Sequence, residues 1–123
     1  MKPILYTIGL FCLFMLMVGA CEAKKEVGAE TAIMAPASSA GRADNDEGVG
    51  HYRQGHWDVA EGHFRKAIKA DGNLAEAHFN LGLTLDKMDK HDDATAEFKK
   101  AAELAPTKTA IKESPILKKH IGM

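Results

Sequence analysis

Hydrophobic and polar positions divide the chain into an apolar start, a polar stretch and a periodic remainder. Residues 4–18 contain no charged side chain and are rich in Leu, Ile and Phe. Residues 22–43 contain few sizeable apolar side chains and keep neither a helical nor a strand period. From residue 44 onward apolar residues recur at helical spacing, which predicts helices at 45–54, 58–70, 75–88 and 91–104.

The helical part of the chain contains an internal repeat, since 41–74 aligns with 75–108 without a gap. In the second helix of each pair, Ala, Phe and Ala stand at relative positions 0, 4 and 7, so they share one helix face. Seven aligned pairs are identical: Ala43/Ala77, Gly48/Gly82, Asp58/Asp92, Ala60/Ala94, Phe64/Phe98, Lys66/Lys100 and Ala67/Ala101.

The period and these positions resemble the tetratricopeptide repeat, a helix–turn–helix unit of the same length. In that family small residues let the two helices cross closely. A characteristic residue lies in the turn between the helices, and a proline ends the repeat. The matching positions here are Gly48, Gly55, Trp57, Ala60, Phe64, Ala67, Gly82, Ala94, Phe98, Ala101 and Pro106. The resemblance implies an all-α fold over 44–123: two repeats, at 41–74 and 75–108, followed by a capping helix within 109–123.

Both ends of this domain depart from the family pattern. Asp44 and Glu47 replace bulky apolar residues, so we expect a capped start at Asp44 and a short, frayed first helix with a polar outer side. A proline after Ser114 divides the capping segment, so we expect pieces at 108–113 and 115–121 with Ser114 as a cap. Two repeats are fewer than the three usually needed, so the module is either marginal alone or completed by a partner such as a second copy.

In tetratricopeptide proteins the first helices of successive repeats line a concave groove. By that resemblance the groove here consists of Val49, Tyr52, Arg53, Phe79, Asn80, Leu83, Asp86 and Lys87. Aromatic side chains beside Arg and Lys suit an extended or helical peptide. For Phe79 and Leu83 the alternative is packing against the neighbouring helix. A subclass that clamps C-terminal carboxylates uses five polar positions, of which this chain supplies Asn80 alone, so that activity is not predicted.

The N-terminal apolar run is shorter than the roughly twenty residues that span a bilayer, and it has the size of a signal-peptide core. It ends in Val18-Gly19-Ala20-Cys21, which resembles the lipobox of bacterial lipoproteins. The resemblance implies a signal peptide over 1–20, lipidation of Cys21 and a flexible linker over 21–43. An Asp directly after the cysteine would resemble a signal that retains lipoproteins in the inner membrane. The chain has Glu22 at that position, which favours the periplasmic side of the outer membrane. One alternative is that the apolar run is an uncleaved N-terminal anchor. The other is that Cys21 is an ordinary thiol that is not lipidated.

Charge and motif content narrow the function further. The 16 Lys+Arg and 17 Asp+Glu are interspersed, so there is no basic patch to attract nucleic acid. We find no nucleophile–base pair, phosphate-binding glycine loop, Cys-x-x-Cys-His or His-Glu-x-x-His, and predict no enzyme, cofactor or metal site. His51, His56 and His63 lie five and seven residues apart, unlike helical ligand pairs, and are interpreted as solvent-facing.

The sequence therefore predicts an adaptor in the bacterial cell envelope, held to the membrane by an acyl anchor, that binds another protein. The alternative is a module that binds a small ligand or a metal through histidines at the groove edge. A third possibility is a structural lipoprotein that associates with itself.

Overall fold

The computed structural model describes residues 31–123, so the predicted signal peptide and Cys21 lie outside the described part. Over that part the chain is helical without strands: α1 Arg42–Arg53, α2 Trp57–Ala70, α3 Ala75–Lys87, α4 His91–Leu104, α5 Thr109–Lys112 and α6 Pro115–Ile121. Helix α1 pairs with α2 and α3 with α4, while α2 contacts α3 and α6 covers α4. The predicted all-α repeat fold is confirmed. None of these described helices has the length and apolarity to cross a bilayer.

In each helical pair a glycine of the first helix lies directly against a phenylalanine of the second. A Cβ atom built on Gly48 would lie 2.7 Å from the ring of Phe64, and one on Gly82 would lie 2.8 Å from the ring of Phe98. Both phenylalanines are fully buried, as are the four alanines of the second helices, Ala60, Ala67, Ala94 and Ala101. The absence of a side chain at Gly48 and at Gly82 therefore makes room for an aromatic ring from the second helix of each pair.

The turns inside the two pairs share one backbone conformation. Gly55 has φ 78°, and Asp89, which occupies the equivalent position of the second repeat, has φ 59°. Glycine enters this left-handed region without steric cost, whereas Asp89 does not. Beside the first turn the Tyr52 and Trp57 rings meet edge to face with centroids 5.0 Å apart.

The C-terminal segment forms two short helices, as its Ser-Pro pair predicts. Ser114 Oγ accepts a hydrogen bond from the Leu117 amide at 3.1 Å, and the following proline occupies the first turn of α6. Ile111 and Leu117 are buried against the second pair. These helices close the C-terminal end of the core.

The first helix differs from its prediction in its starting residue, its N-cap and its length. The helix begins at Arg42, its N-cap is Gly41, and no side chain caps it, so the predicted cap at Asp44 is wrong. It spans 12 residues against 13 for α3 and is not a short remnant. A Cβ on Gly41 would lie 2.5 Å from the Ala67 carbonyl oxygen, so glycine lets the chain enter α1 against the end of α2.

The linker prediction is wrong over residues 31–43. Residues 42 and 43 belong to α1, and residues 31–41 are held by hydrogen bonds to the helices. Ser39 Oγ accepts from the Gly41 amide at 3.1 Å and donates to Asp71 at 2.7 Å. Because these bonds run mainly through backbone groups, the polar and aperiodic sequence did not reveal them.

Candidate peptide-binding groove

Residues 31–36 run without helix or turn beside α1 and α3, and we call them the docked segment. Asn80 holds one residue of this segment from both sides. Its Oδ1 accepts from the Ile33 amide at 2.7 Å, and its Nδ2 donates to the Ile33 carbonyl at 2.7 Å. Asn45 Nδ2 donates to the same carbonyl at 3.0 Å. Since these bonds involve only backbone atoms of Ile33, they do not depend on the identity of its side chain.

A second backbone contact lies one repeat away. Asp46 on α1 occupies the position that Asn80 holds in the second repeat. Its Oδ1 accepts from the Ala35 amide at 2.9 Å. The backbone amides of Ile33 and Ala35, two residues apart, therefore both point to side chains of the helices. Equivalent polar positions of successive repeats therefore hold alternate residues of one non-helical segment.

The charge of Asp46 strengthens its bond to the segment. Burial, the largest influence, raises the pKa of this carboxyl. Hydrogen bonds from the Ala35 amide and from the side chains of Asn45 and Arg42 together outweigh it, so the pKa of Asp46 lies below its usual value. At neutral pH the group is an ionised acceptor, which makes the stronger, charge-assisted kind of hydrogen bond.

Apolar contacts complete the docking. Ala32 is 3% exposed and belongs to the same core cluster as Val49 and Tyr52. Ile33 is partly buried against that cluster, while Met34 remains half exposed. The segment thus buries a small side chain and lays its backbone against polar groups of α1 and α3.

The predicted groove residues fall into three environments when the docked segment is present. Val49, Phe79, Asn80 and Leu83 are almost fully buried, and of these Asn80 hydrogen-bonds the segment directly. Phe79 packs on Phe98 with ring centroids 5.7 Å apart, which agrees with the alternative that it belongs to the helix-packing core. Tyr52 is buried, and Arg53 and Lys87 are exposed. Asp86 hydrogen-bonds two histidines of α4 and α6. The assignment of the full set to partner binding stays a prediction.

Asn45 and Asp46 were missed in the sequence. Asn45 is fully buried and receives a hydrogen bond from Asn80 Nδ2 at 2.9 Å. The sequence feature that could have indicated them is that Asp46 and Asn80, both polar, occupy equivalent positions of the two repeats.

Three histidines predicted to face solvent come together on the first helical pair. The rings of His51 and His63 stack with centroids 5.3 Å apart and planes 7° from parallel. His51 Nδ1 lies 3.5 Å from His56 Nδ1. His63 Nδ1 lies 3.5 Å from Asp44 Oδ1 and 3.8 Å from Glu47 Oε2. We call these five residues the amino-terminal histidine cluster. His56 is exposed as predicted, whereas His51 and His63 are partly buried.

A second cluster fastens α6 to the second pair. His91 Nδ1 and His120 Nε2 lie 3.0 and 2.9 Å from the same oxygen of Asp86. His120 Nδ1 also meets Thr95 Oγ1 at 2.8 Å. Burial, the largest influence, raises the pKa of Asp86, but the hydrogen bonds from His120 and His91 together lower it by more, and the net shift is downward.

A buried histidine joins the second helical pair to the turn that precedes it. His78 Nδ1 lies 2.6 Å from the Glu97 carboxylate, and its Nε2 lies 3.0 Å from the Gly72 carbonyl. Because an ionised carboxylate and a carbonyl only accept, both ring nitrogens donate when the ring is protonated. Burial is the largest influence and lowers the pKa of His78, yet the bonds to Glu97 and Gly72 together raise it by more, so the net shift is upward.

Comparison with known proteins agrees with the helical repeat architecture. No curated protein matches the chain. Residues 75–108 match the family model of the tetratricopeptide repeat, and these are the residues of the second helical pair. The family is typically a non-catalytic scaffold. The second pair is therefore similar to a tetratricopeptide repeat, and that similarity suggests interaction with other proteins.

Proposed function

We propose that this protein is an adaptor of the bacterial cell envelope that binds an extended segment of another protein between α1 and α3. One observation carries the proposal: that surface already holds a non-helical segment, residues 31–36, through the two bonds between Asn80 and the backbone of Ile33. A site that recognises peptide units in one segment is chemically suited to another extended segment. The similarity of 75–108 to a protein-binding repeat supports the same function.

The docked segment makes binding competitive. A partner that uses Asp46 and Asn80 displaces residues 31–36, and its apparent affinity falls by the fraction of time that the surface is free. A short tether presents its own segment at an effective concentration on the order of mM. The segment thus acts as a resident ligand that only a better-fitting sequence replaces.

A labelled peptide with the sequence of residues 31–40 tests this competition by fluorescence anisotropy. In Ala32→Asp the buried position receives a carboxylate, which disfavours docking of the chain's own segment. We expect the peptide to bind this variant at least about tenfold more tightly than wild type. In the double variant Ala32→Asp/Asn80→Ala this increase in peptide affinity should disappear. Equal affinity in all three proteins would contradict the proposed site.

We further propose that Cys21 is lipidated and holds the domain on the periplasmic side of the outer membrane. The support is the sequence Val18-Gly19-Ala20-Cys21 after an apolar run. Processing should be sensitive to globomycin and should be lost in Cys21→Ser. Unchanged processing in that variant would exclude the lipid anchor without affecting the groove.

Partner identity is accessible by pull-down from membranes with wild type and with Tyr52→Ala/Arg53→Ala. Specific loss of one protein in the variant would support these predicted groove residues. The same set of captured proteins in both samples would remove Tyr52 and Arg53 from the binding surface.

A further inference from the structure

The amino-terminal histidine cluster occupies a face that the second repeat uses for its core. Glu47 and His51 correspond in the second repeat to Leu81 and Leu85, which are 0% and 1% exposed. In the second pair α3, the helix that carries these residues, packs against α2 of the first pair. In the first pair the same face has no preceding repeat within the described residues. Scattered polar side chains would be enough to keep such an uncovered face in contact with water. Here the side chains of Glu47, His51 and His63 instead converge on one point.

The convergence has the dimensions of a metal site. One ligand atom each from Glu47, His51 and His63 lies within 4.8 Å of the other two. Ligands of tetrahedral Zn²⁺, bound at about 2.0–2.1 Å, stand about 3.3–3.4 Å apart. The His63 Nδ1 separations of 3.5 Å to Asp44 and 3.8 Å to Glu47 are close to that value. The Glu47 side chain is 64% exposed and free to close the remaining gap.

Hydrogen bonding leaves a ligand position open in this cluster. His63 Nδ1 is buried and has no hydrogen-bond partner, because the two nearby carboxylates do not meet hydrogen-bond geometry. A buried polar atom without a partner costs free energy because it has lost its hydrogen bonds to water. Coordination to a cation would satisfy it. His51 and His56 also bring two Nδ1 atoms to 3.5 Å, where a hydrogen bond between neutral rings is at best weak.

We propose that Glu47, His51 and His63 bind a divalent transition-metal ion, with Zn²⁺ as the best fit. Imidazole nitrogens select such ions over Mg²⁺ and Ca²⁺, which prefer oxygen ligands. Asp44 Oδ1 lies 3.5 Å from His63 Nδ1, next to the three ligands. Binding here would tie α1 to α2 on the open face of the first repeat, where no further helix of the described chain covers them.

The second histidine cluster provides the contrast. There His120 already uses both ring nitrogens, one with Asp86 and one with Thr95, and His91 Nδ1 is also bonded to Asp86. Ligand atoms of Asp86, His91 and His120 also lie within 4.8 Å of one another, but there hydrogen bonds already engage these groups. Residues of that cluster are therefore matched controls of the same chemical type.

Calorimetric titration of the full chain with ZnCl₂ tests the proposal. We expect one saturable site per chain. Binding should weaken at least about tenfold in His63→Gln and in Glu47→Gln, while His91→Gln keeps the wild-type affinity. The Glu47 variant guards against loss of fold because its side chain is exposed. No saturable site in wild type, or loss in His91→Gln in place of His63→Gln, would overturn the proposal.

Histidine NMR gives a second readout that folding alone would not change. At one equivalent of Zn²⁺ the side-chain signals of His51 and His63 should shift, and those of His91 and His120 should not. The same titration with Mg²⁺ should leave all four unchanged. Shifts confined to His91 and His120 would place the ion in the other cluster and refute the assignment.

Discussion

A single methyl group on Gly48 tests the packing that defines both repeats. In Gly48→Ala the new Cβ would stand 2.7 Å from Cε1 and 2.9 Å from Cδ1 of Phe64. Phe64 is fully buried, so its ring has no open space into which to turn. Gly50 lies two residues further along the same helix, and a Cβ there meets nothing within 4 Å. The two substitutions therefore share their chemistry and differ only in contact.

Two opposing effects set the size of the change. Replacing glycine by alanine inside a helix stabilises by about 1 kcal/mol, because alanine loses less backbone entropy. Overpacking a filled core costs about 1–3 kcal/mol. For Gly50→Ala only the first effect acts, so the free energy of unfolding should rise by about 1 kcal/mol. For Gly48→Ala the cost cancels or exceeds the gain, so the two variants should differ by about 1–3 kcal/mol.

Thermal melts followed by circular dichroism at the helical minimum would measure this difference. For a domain of this size 1 kcal/mol corresponds to about 4–8 °C, so Gly48→Ala should melt at least about 4 °C below Gly50→Ala. Gly82→Ala should behave like Gly48→Ala, because its Cβ would lie 2.8 Å from the Phe98 ring. Equal melting temperatures for Gly48→Ala and Gly50→Ala would refute the close-approach argument.

Three further substitutions follow from individual contacts. Asn80→Ala leaves both backbone groups of Ile33 without that partner and should cost about 1–3 kcal/mol in urea unfolding, a loss that Asn73→Ala on the surface should not reproduce. Asp89→Gly should stabilise by about 1 kcal/mol, since it relieves a left-handed residue where the first repeat has glycine; a lower melting temperature would contradict this. The pKa of His78 is raised on folding, so its contribution is complete below about pH 6.5 and is lost as pH rises through the folded pKa. The melting-temperature gap between wild type and His78→Gln should therefore shrink from pH 6 to 9, and a constant gap would exclude protonation as the cause.

The helices were predictable because the repeat enforces their pattern. Small residues and Phe recur at equivalent positions of the two repeats, and the observed elements lie within a few residues of the predicted ones. The Ser114 cap was also predictable, since Ser before Pro is a local signal that needs no tertiary context. The start of α1 was not, because Gly41 is selected by its distance from α2 and not by capping chemistry.

The docked segment and the histidine cluster were missed for different reasons. The docked segment binds through the backbone of Ile33 and Ala35, and backbone groups are the same in every sequence. In the cluster, His63 comes from a different helix than Glu47 and His51, so spacing rules for one helix do not detect it. Comparison of the repeats contained the signal, because polar residues replace Leu81 and Leu85 on one face.

Amide hydrogen exchange at Ile33 and Ala35 in the full chain tests the central claim most directly. Without a partner both amides should be protected, because Asn80 and Asp46 accept their hydrogen bonds. On addition of a protein that binds the groove, both should lose protection while the amides of α3 keep theirs. Exchange at the rate of a free peptide before addition, or protection that is unchanged when the partner is bound, would contradict a groove that is held by its own segment and opened by competition.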